Sequence, residues 1–515
     1  MLIGVIGIFV RLYYLPYDLP LTLDGLKYFW YANDLALGHV LTTYEVANNG
    51  WPTFLSLFFS IFHFNNFMDY MLLQRIISIL ISVLTIIPIY LLCTRFFNPF
   101  YGVLAAALFI FEPHIIQNSL FGITDPLYIL LIISSLVLFT SPNKNLMYTS
   151  FVIVAFASFV RVEGLVTFVS LSLLFFINNK IESKTIIRYG IVISVFILSL
   201  LPMIVFRIQT VGNDGLGTRV IDAGMGFLGE NKEVLHQNHD LTLQFISSLN
   251  TFVYFFGLSL LPFFLFLIPL GIYFLFVNRN KNILTITIPI LFLLSSSFVA
   301  FYQGVQDTRY FYPLFPFFSI VSIFAIKTIT DKIKINKEIF VILLICLILL
   351  LSITFLNFKT QDITHEKEAI IIASHVANMT SGINQYLPES KYLPISEMSN
   401  HNFPILSTSI GVDQNGVEMD YPGQVWLGPK VLLTYNFISL HTYIESGKVS
   451  GLTHLVVTEP KNSTHDIIFL EDVYYNDEKY QYLTKVFDSY DYDYNYHLKI
   501  YKINYEKFES IHNNN

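Results

Sequence analysis

The sequence predicts a polytopic α-helical membrane protein of about eleven spanning helices with a C-terminal α/β domain outside the membrane. Three observations lead there. The 515 residues are 54% hydrophobic and only 13% charged, with a mean hydropathy of +0.57, which excludes a water-soluble globule for most of the chain. Apolar runs of spanning length recur from the first residues to about position 358. Beyond that point Asn, Asp, Tyr and Ser rise and no spanning run remains.

The runs lie at 1–16, 76–94, 100–118, 122–140, 146–160, 163–178, 187–208, 252–277, 283–302, 310–328 and 338–358. A span needs roughly 20 largely apolar residues, fewer when a helix is kinked or buried among others. The first run lacks the basic leader and small-residue cleavage site of a signal peptide, so it reads as an anchored helix. Lys and Arg in the short loops set the orientation. With a cytoplasmic N-terminus the inner loops collect Arg95, Lys144, Lys180, Lys184 and Arg188, then Arg279, Lys281 and the lysines at 327–337. The outer loops hold only Lys27, Arg161, Arg219, Lys232 and Arg309. An odd number of spans then divides the chain into a membrane domain at 1–358 and an extracytoplasmic domain at 359–515.

In that outer domain 367–379 and 439–446 read as helices, and KVLLTY (430–435), THLVVTE (453–459) and HLKIYKI (497–503) as strands. DSYDYDYNYH (488–497) alternates acids but lacks the Gly and terminal Glu of an EF-hand, so a polar strand with tyrosines on one face is favoured. Asn378-Met-Thr380 and Asn462-Ser-Thr464 are acceptor patterns for N-glycosylation, which suit an exported surface. Cys93 and Cys346 lie in apolar runs and read as inert core residues, with no disulfide framework. A net charge of −7 gives no basic face for nucleic acid.

Ionisable residues at helix ends in a membrane protein are costly and are candidates for function. Arg11 lies at the outer end of the first run, and LTLDGLKYFWYANDLALG (21–38) opens the first outer loop, about 18–66, with Asp24. The aromatics of that stretch, Tyr28 among them, suit a helix lying at headgroup depth, and Asp24 could cap a helix starting at Leu26. Asp34, Glu45 and Gly-Trp-Pro (50–52) follow in the same loop. FEPHIIQNSLFGITDP (111–126) contributes Glu112, His114 and Asp125, FVRVEG (159–164) contributes Arg161 and Glu163, and YQGVQDTRYFYPLFP (302–316) contributes Asp307 and Arg309. The Gly-rich stretch at 209–250 reads as a mobile outer loop, as a lid would be. Singly, each residue also fits a structural role: a cap, an ion pair, a snorkelling arginine. Together they suit one chemistry. A carboxylate deprotonates an acceptor hydroxyl, and arginines hold a phosphate leaving group through forked, always-charged donors. At the outer surface, that combination points to group transfer from a lipid phosphate. Glu112 and His114 also offer two ligands to a divalent metal, a thin set by itself.

The stretches RLYYL…LDGLKYFWYANDLALG (11–38), PHIIQNSLFGITDPLYILL (113–131), VRVEG (160–164) and RYFYPLFP (309–316), in that order, resemble the GT-C class of polytopic glycosyltransferases. That class includes protein O-mannosyltransferases, the aminoarabinose transferases of lipid A and the catalytic subunit of oligosaccharyltransferase. The resemblance covers roughly 1–358. It implies a polyprenyl- or dolichyl-phosphate sugar donor and inverting transfer to an extracytoplasmic protein, glycan or lipid acceptor. It also implies Asp24 as general base, and Asp125 or Glu112 positioning donor phosphate, acceptor or metal. Arg161 and Arg309, and more weakly Arg11, are the expected phosphate contacts, with Tyr28, Glu112, His114 and Glu163 supporting site or acceptor. Many relatives carry adjacent acids in the first loop, whereas Asp24 is followed by Gly25. The Trp-Trp-Asp-Tyr-Gly motif of oligosaccharyltransferases is absent and the tail holds only Trp426, so the expectation is transfer of a single hexose, such as mannose, rather than of an oligosaccharide. The rival expectation, a transporter or lipid-linked-sugar flippase, calls for repeated halves and mid-span polar groups; no internal repeat is evident.

Overall fold

A computed structural model describes residues 2–21, 23–36, 48–64, 67–179, 182–212, 214–218, 241–277, 283–333, 337–359, 439–449, 454–459, 468–495 and 497–512, with short pieces at 407–409 and 424–426 and the single positions 46, 221, 364, 367, 368 and 371. The chain divides into two compact units. One comprises Met1–Leu15, Val40–Leu57 and Leu73–Thr360, the other Pro16–His39, Phe58–Leu72 and Gln361–Asn515.

Helices α1 (Leu2–Tyr13), α2 (Leu23–Ala36) and α3 (Gly50–Phe59) precede α4 (Phe67–Leu84) and α5 (Ile86–Cys93), which together make a span from Met68 to Cys93. Then come α6 (Pro99–Ile110), α7 (Pro113–Ser119), α8 (Asp125–Phe139), α9 (Lys144–Val160), α10 (Gly164–Asn178) and α11 (Ser183–Val211). The series ends with α12 (Leu241–Ser259), α13 (Phe264–Val277), α14 (Leu284–Tyr302), a 3₁₀ segment at Thr308–Leu314, α15 (Phe315–Ile333) and α16 (Lys337–Phe358). Among the described residues five helices are long and apolar enough to cross a membrane, or up to seven if each bent pair is one crossing, and four shorter apolar helices accompany them.

Two of the expected straight spans are broken. The run at 100–118 bends by 60° between α6 and α7, and the run at 252–277 belongs to a pair, α12 and α13, that bends by 100°. Proline explains both: Pro113 and Pro262 bring no amide N–H, so the i to i−4 ladder cannot continue through them. At the first break Glu112 takes over the capping, its side chain accepting from the Ile115 amide at 3.0 Å.

In the first unit α9 packs against α8, α10 and α11, α13 against α15, and α6 against α5, α15 and α16. α6 is buried along most of its length. The spans Ser183–Gln209 and Glu338–Phe358 are instead only 22% buried in their most apolar windows, and so expose apolar side chains that a lipid environment accommodates. Cys346 is on such a face and is exposed, which corrects the expectation of two core cysteines; Cys93 is buried. Two glycines set how closely the segments approach. A Cβ on Gly50 would come within 2.7 Å of the Phe159 and Val160 backbone, so the start of α3 abuts the end of α9. Gly122 has φ +67°, and its carbonyl accepts from Trp51 Nε1 at 2.8 Å and Gln74 Nε2 at 2.7 Å, which fixes the turn leading into α8.

The second unit holds a three-stranded antiparallel sheet of β3 (His454–Thr458), β4 (Leu483–Asp488) and β5 (Leu498–Ile503), ordered β3-β5-β4, besides a short pair of β1 (Ser407–Ser409) and β2 (Gln424–Trp426). Helices α17 (Leu440–Val449), α18 (Ile468–Tyr475) and α19 (Tyr505–His512) supply Tyr443, Ile444, Val473 and Phe508 to a core with Leu455, Val457 and Tyr501. β4 escapes the sequence pattern because a bulge between Lys485 and Phe487 breaks the two-residue alternation. DSYDYDYNYH does not form the expected strand: Asp488 ends β4, Ser489–Tyr492 is a 3₁₀ segment and Asp493 is in the left-handed region. The expected strand 430–435, most of the helix 367–379, Glu45, both acceptor asparagines and most of 209–250 lie outside the described residues.

Because Gly122 needs a positive φ, Gly122→Val is expected to cost about 1–3 kcal/mol and to lower the melting temperature of the purified protein. Gly190→Ala, at a helical position with open space around it, should not lower it. A thermal-shift comparison of the two variants checks this.

Candidate active site

The groups gathered in the first unit sit where helices end. Asp125 opens α8 and is fully buried. Asn118 of α7 donates to its Oδ2 at 3.2 Å, and Arg161 Nη1 bonds its Oδ1. Arg161 follows the last residue of α9, in extended backbone, so its side chain leaves the helix and reaches across to α8. Its Nη2 and Nε meet Glu163 at 2.8 and 3.3 Å. Burial works against the charge of Arg161, but the carboxylates of Glu163 and Asp125 more than offset it and raise its pKa. Tyr310 and Tyr128 carry the guanidinium over their rings, at 5.2 and 5.9 Å from the centroids. With a side chain only 11% exposed and three of five N–H groups used, Arg161 keeps little open edge.

The 3₁₀ segment extends the cluster. Asp307 caps it and also pairs with Arg309, whose side chain is 30% exposed. Thr308 Oγ1 and the Tyr312 hydroxyl are 3.0 Å apart, and Ser297 of α14 donates to the Tyr310 carbonyl at 2.7 Å. Tyr312 faces His114 with ring centroids 6.0 Å apart, and Phe355 of α16 lies 5.7 Å from the same imidazole. His114 Nδ1 meets Glu112 Oε1 at 2.9 Å, with both residues buried. Lys359, one residue beyond α16, is within electrostatic range of Glu112. Three segments that are remote in sequence, 112–128, 161–163 and 307–312, thus form one chain of direct contacts.

Arg11 does not join them as an anion contact. It is fully buried in α1, and its guanidinium donates to Ser119 Oγ at 3.0 Å, the Gly7 carbonyl at 3.1 Å, the Ile110 carbonyl at 3.0 Å and Ser82 Oγ at 3.2 Å. These bonds tie α1 to α4, α6 and α7, and the expected phosphate role gives way to a structural one. Asp24 belongs to the second unit, in the first turn of α2, which begins at Leu23. It therefore does not cap a helix starting at Leu26. Tyr28 lies one turn further along α2, half-buried. Sequence reasoning did not single out Asn118, Tyr128, Tyr310 or Tyr312, although they lie in the stretches quoted above; the signal for Asn118 is its place seven residues before Asp125 across the glycine turn.

Over residues 54–389 the sequence matches the family described as "Predicted membrane protein (DUF2079)". The chain belongs to that family. It is a membrane protein accordingly, and no curated protein matches it by sequence. Its fold is similar to that of an archaeal oligosaccharyltransferase. The oligosaccharyltransferase of Archaeoglobus fulgidus in complex with zinc and sulfate superposes with a TM-score of 0.52 at 15% identity, over 88% of this chain and 67% of that one. The oligosaccharyltransferase AglB of that archaeon, in complex with an inhibitory peptide and a dolichol-phosphate, gives 0.50 at 13% identity, over 88% and 68%. The first enzyme, tethered to an acceptor peptide containing the NVT sequon, gives 0.51 at 14%, again over 88% and 68%.

Arg161→Ala leaves the buried Asp125 carboxylate without its cation, and is expected to cost about 3–5 kcal/mol. Asp125→Asn leaves Arg161 paired with Glu163 and should cost clearly less. Denaturation of the two purified variants side by side measures the difference.

Proposed function

We propose that this membrane protein is a glycosyltransferase that moves a sugar from a polyprenyl- or dolichyl-phosphate donor to an acceptor outside the cell membrane. The observation that carries the proposal is the joined cluster of carboxylates, arginines and tyrosines at helix ends, on a fold shared with an oligosaccharyltransferase. The archaeal oligosaccharyltransferase structures include a dolichol-phosphate and an acceptor peptide, which supports a lipid-linked donor and an extracytoplasmic acceptor here.

In this reading Asp24 takes the acceptor proton as the sugar's anomeric carbon leaves the phosphate, with inversion. Arg309, the more exposed arginine, and the remaining N–H groups of Arg161 stabilise the departing phosphate. Asp125, held by Asn118 and Arg161, keeps the guanidinium in place, and Glu163 shares that task. Tyr28 belongs with Asp24 on α2 as an acceptor-side residue. Transfer of a single hexose, such as mannose, fits a tail without the Trp-Trp-Asp-Tyr-Gly motif. The membrane domain at 1–358 would hold the chemistry and the domain at 359–515 would lie outside, with the N-terminus cytoplasmic.

A divalent metal is a further part of the proposal. Glu112 and His114, in contact at 2.9 Å, would offer two ligands, a thin set by itself. Among the described residues no group of three or more His, Cys, Asp or Glu side chains forms a metal site, so no step is routed through one.

The two broken helix pairs are also a device of transporters, which makes lipid or sugar transport without transfer the rival outcome. In proteoliposomes with a labelled polyprenyl-phosphate sugar, Asp24→Asn is expected to reduce transfer by roughly 100-fold or more, the scale of a lost general base. Wild-type turnover in that variant removes Asp24 from the role, and label that moves across the bilayer without joining any acceptor favours the transporter. Arg161→Ala is expected to weaken donor binding more than Arg309→Lys does, because Lys preserves the charge. Equal donor affinities in an equilibrium binding assay would dismiss the phosphate assignment.

A further inference from the structure

We propose that the tyrosine-rich turn between β4 and β5 is a docking surface for a basic polypeptide segment, holding arginine or lysine side chains between tyrosine faces and carboxylates. The residues involved belong to the second unit, and the inference does not rest on the transfer reading.

The turn is built to stay in one shape. Ser489 is fully buried and its Oγ accepts from the Leu498 amide at 2.7 Å. Asp488 accepts from the Tyr490 amide at 3.2 Å, and Tyr494 donates its amide to the Ser489 carbonyl at 3.3 Å. Asp493 occupies the left-handed region at φ 54°, a conformation that Asp tolerates better than most residues. On this frame Tyr490 and Tyr492 stay 50% and 52% exposed, although a flexible turn would let them fold onto the sheet. Tyr492 is stacked on Phe487 at 5.1 Å and on Tyr494 at 5.6 Å. Tyr490 leans on His497 at 4.0 Å and donates its hydroxyl to Glu459 at 3.2 Å, and His497 Nδ1 meets the same carboxylate at 2.8 Å. The ring faces are thus oriented before any partner arrives, which spares the entropy of ordering them on binding.

Charge decides which partner they fit. Asp491 and Asp493 flank the exposed tyrosines, are themselves exposed, and enter no ion pair among the described residues. The nearby lysines are already committed. Lys485 pairs with Asp488 at 2.9 Å, and Lys499 donates to the Tyr474 carbonyl at 2.8 Å with its ammonium 4.6 Å from that ring's centroid. The sheet therefore already seats one cation on a tyrosine face, and further exposed tyrosines lie beside carboxylates that enter no ion pair among the described residues. A cation attracted to the ring quadrupole and to the carboxylates satisfies both. A neutral glycan could lie on the rings but gains nothing from the two acids.

The test uses the full chain in detergent or nanodiscs, a fluorescent Gly-Ser peptide bearing several arginines, its glutamate counterpart and a neutral hexasaccharide, read by anisotropy. The arginine peptide is expected to bind, more weakly as salt rises. Tyr490→Ala with Tyr492→Ala should weaken it by roughly fivefold or more, the scale of two exposed cation–π contacts. Asp491→Asn with Asp493→Asn should weaken it and flatten the salt dependence, while Tyr490→Phe with Tyr492→Phe should keep most of it. Binding of the arginine peptide unchanged in both the alanine and asparagine variants overturns the proposal. So does preferential binding of the hexasaccharide, which would make the turn a glycan surface.

Discussion

The Arg161 guanidinium, shared between Asp125 and Glu163, is the interaction on which the rest of the candidate site depends. A buried carboxylate at the start of α8 is tolerable only with a cation and hydrogen-bond donors around it. Arg161 supplies the cation because the chain turns to extended backbone at the end of α9, and Asn118 supplies the remaining donor. The same guanidinium lies over Tyr128 and Tyr310, so the 3₁₀ segment before α15 is tied to the α8–α9 pair through it. Without that charge, the end of α9, the start of α8 and the 3₁₀ segment would each retain a polar group facing a mostly apolar interior.

Around this centre the scaffold uses breaks as well as long helices. Proline stops α6 before α7, and Glu112 is at once the cap of the new helix and the partner of His114. Gly122 then turns the chain into α8, with Trp51 and Gln74 both donating to its carbonyl. Arg11 ties α1 to three other helices through four of its five N–H groups, a set that keeps a charge in an apolar unit. Arg11 is fully buried, whereas the Arg161 side chain keeps 11% exposure, so the two arginines differ in access rather than in residue type.

The second unit follows different rules. Its helices pack onto a three-stranded sheet, and its tyrosines are divided between core and surface. Tyr501 is fully buried in the central strand, whereas Tyr490 and Tyr492 are displayed by a turn braced by hydrogen bonds to the Tyr490 and Leu498 amides. A surface of that kind suits recognition, for which the membrane-embedded helices have little water-facing area.

The sequence by itself determined that this is a membrane protein with helices at the apolar runs and a polar tail that forms strands at 454–458 and 498–503, because burial of apolar side chains acts on every segment locally. It also singled out Asp125, Arg161, Glu163, Glu112, His114 and Arg309, since charges near the ends of apolar runs are rare enough to stand out. Only the tertiary structure decided which of those charges meet. Asn118, Tyr128, Tyr310 and Tyr312 looked like any other polar or aromatic residues until the helix ends brought them to Asp125, Arg161 and His114. Arg11 was only a weaker candidate beside Arg161 in the sequence, and the bulge in β4 and the turn at 489–495 were hidden by a broken alternation. Contacts between residues tens or hundreds of positions apart set these outcomes, and no local pattern records them.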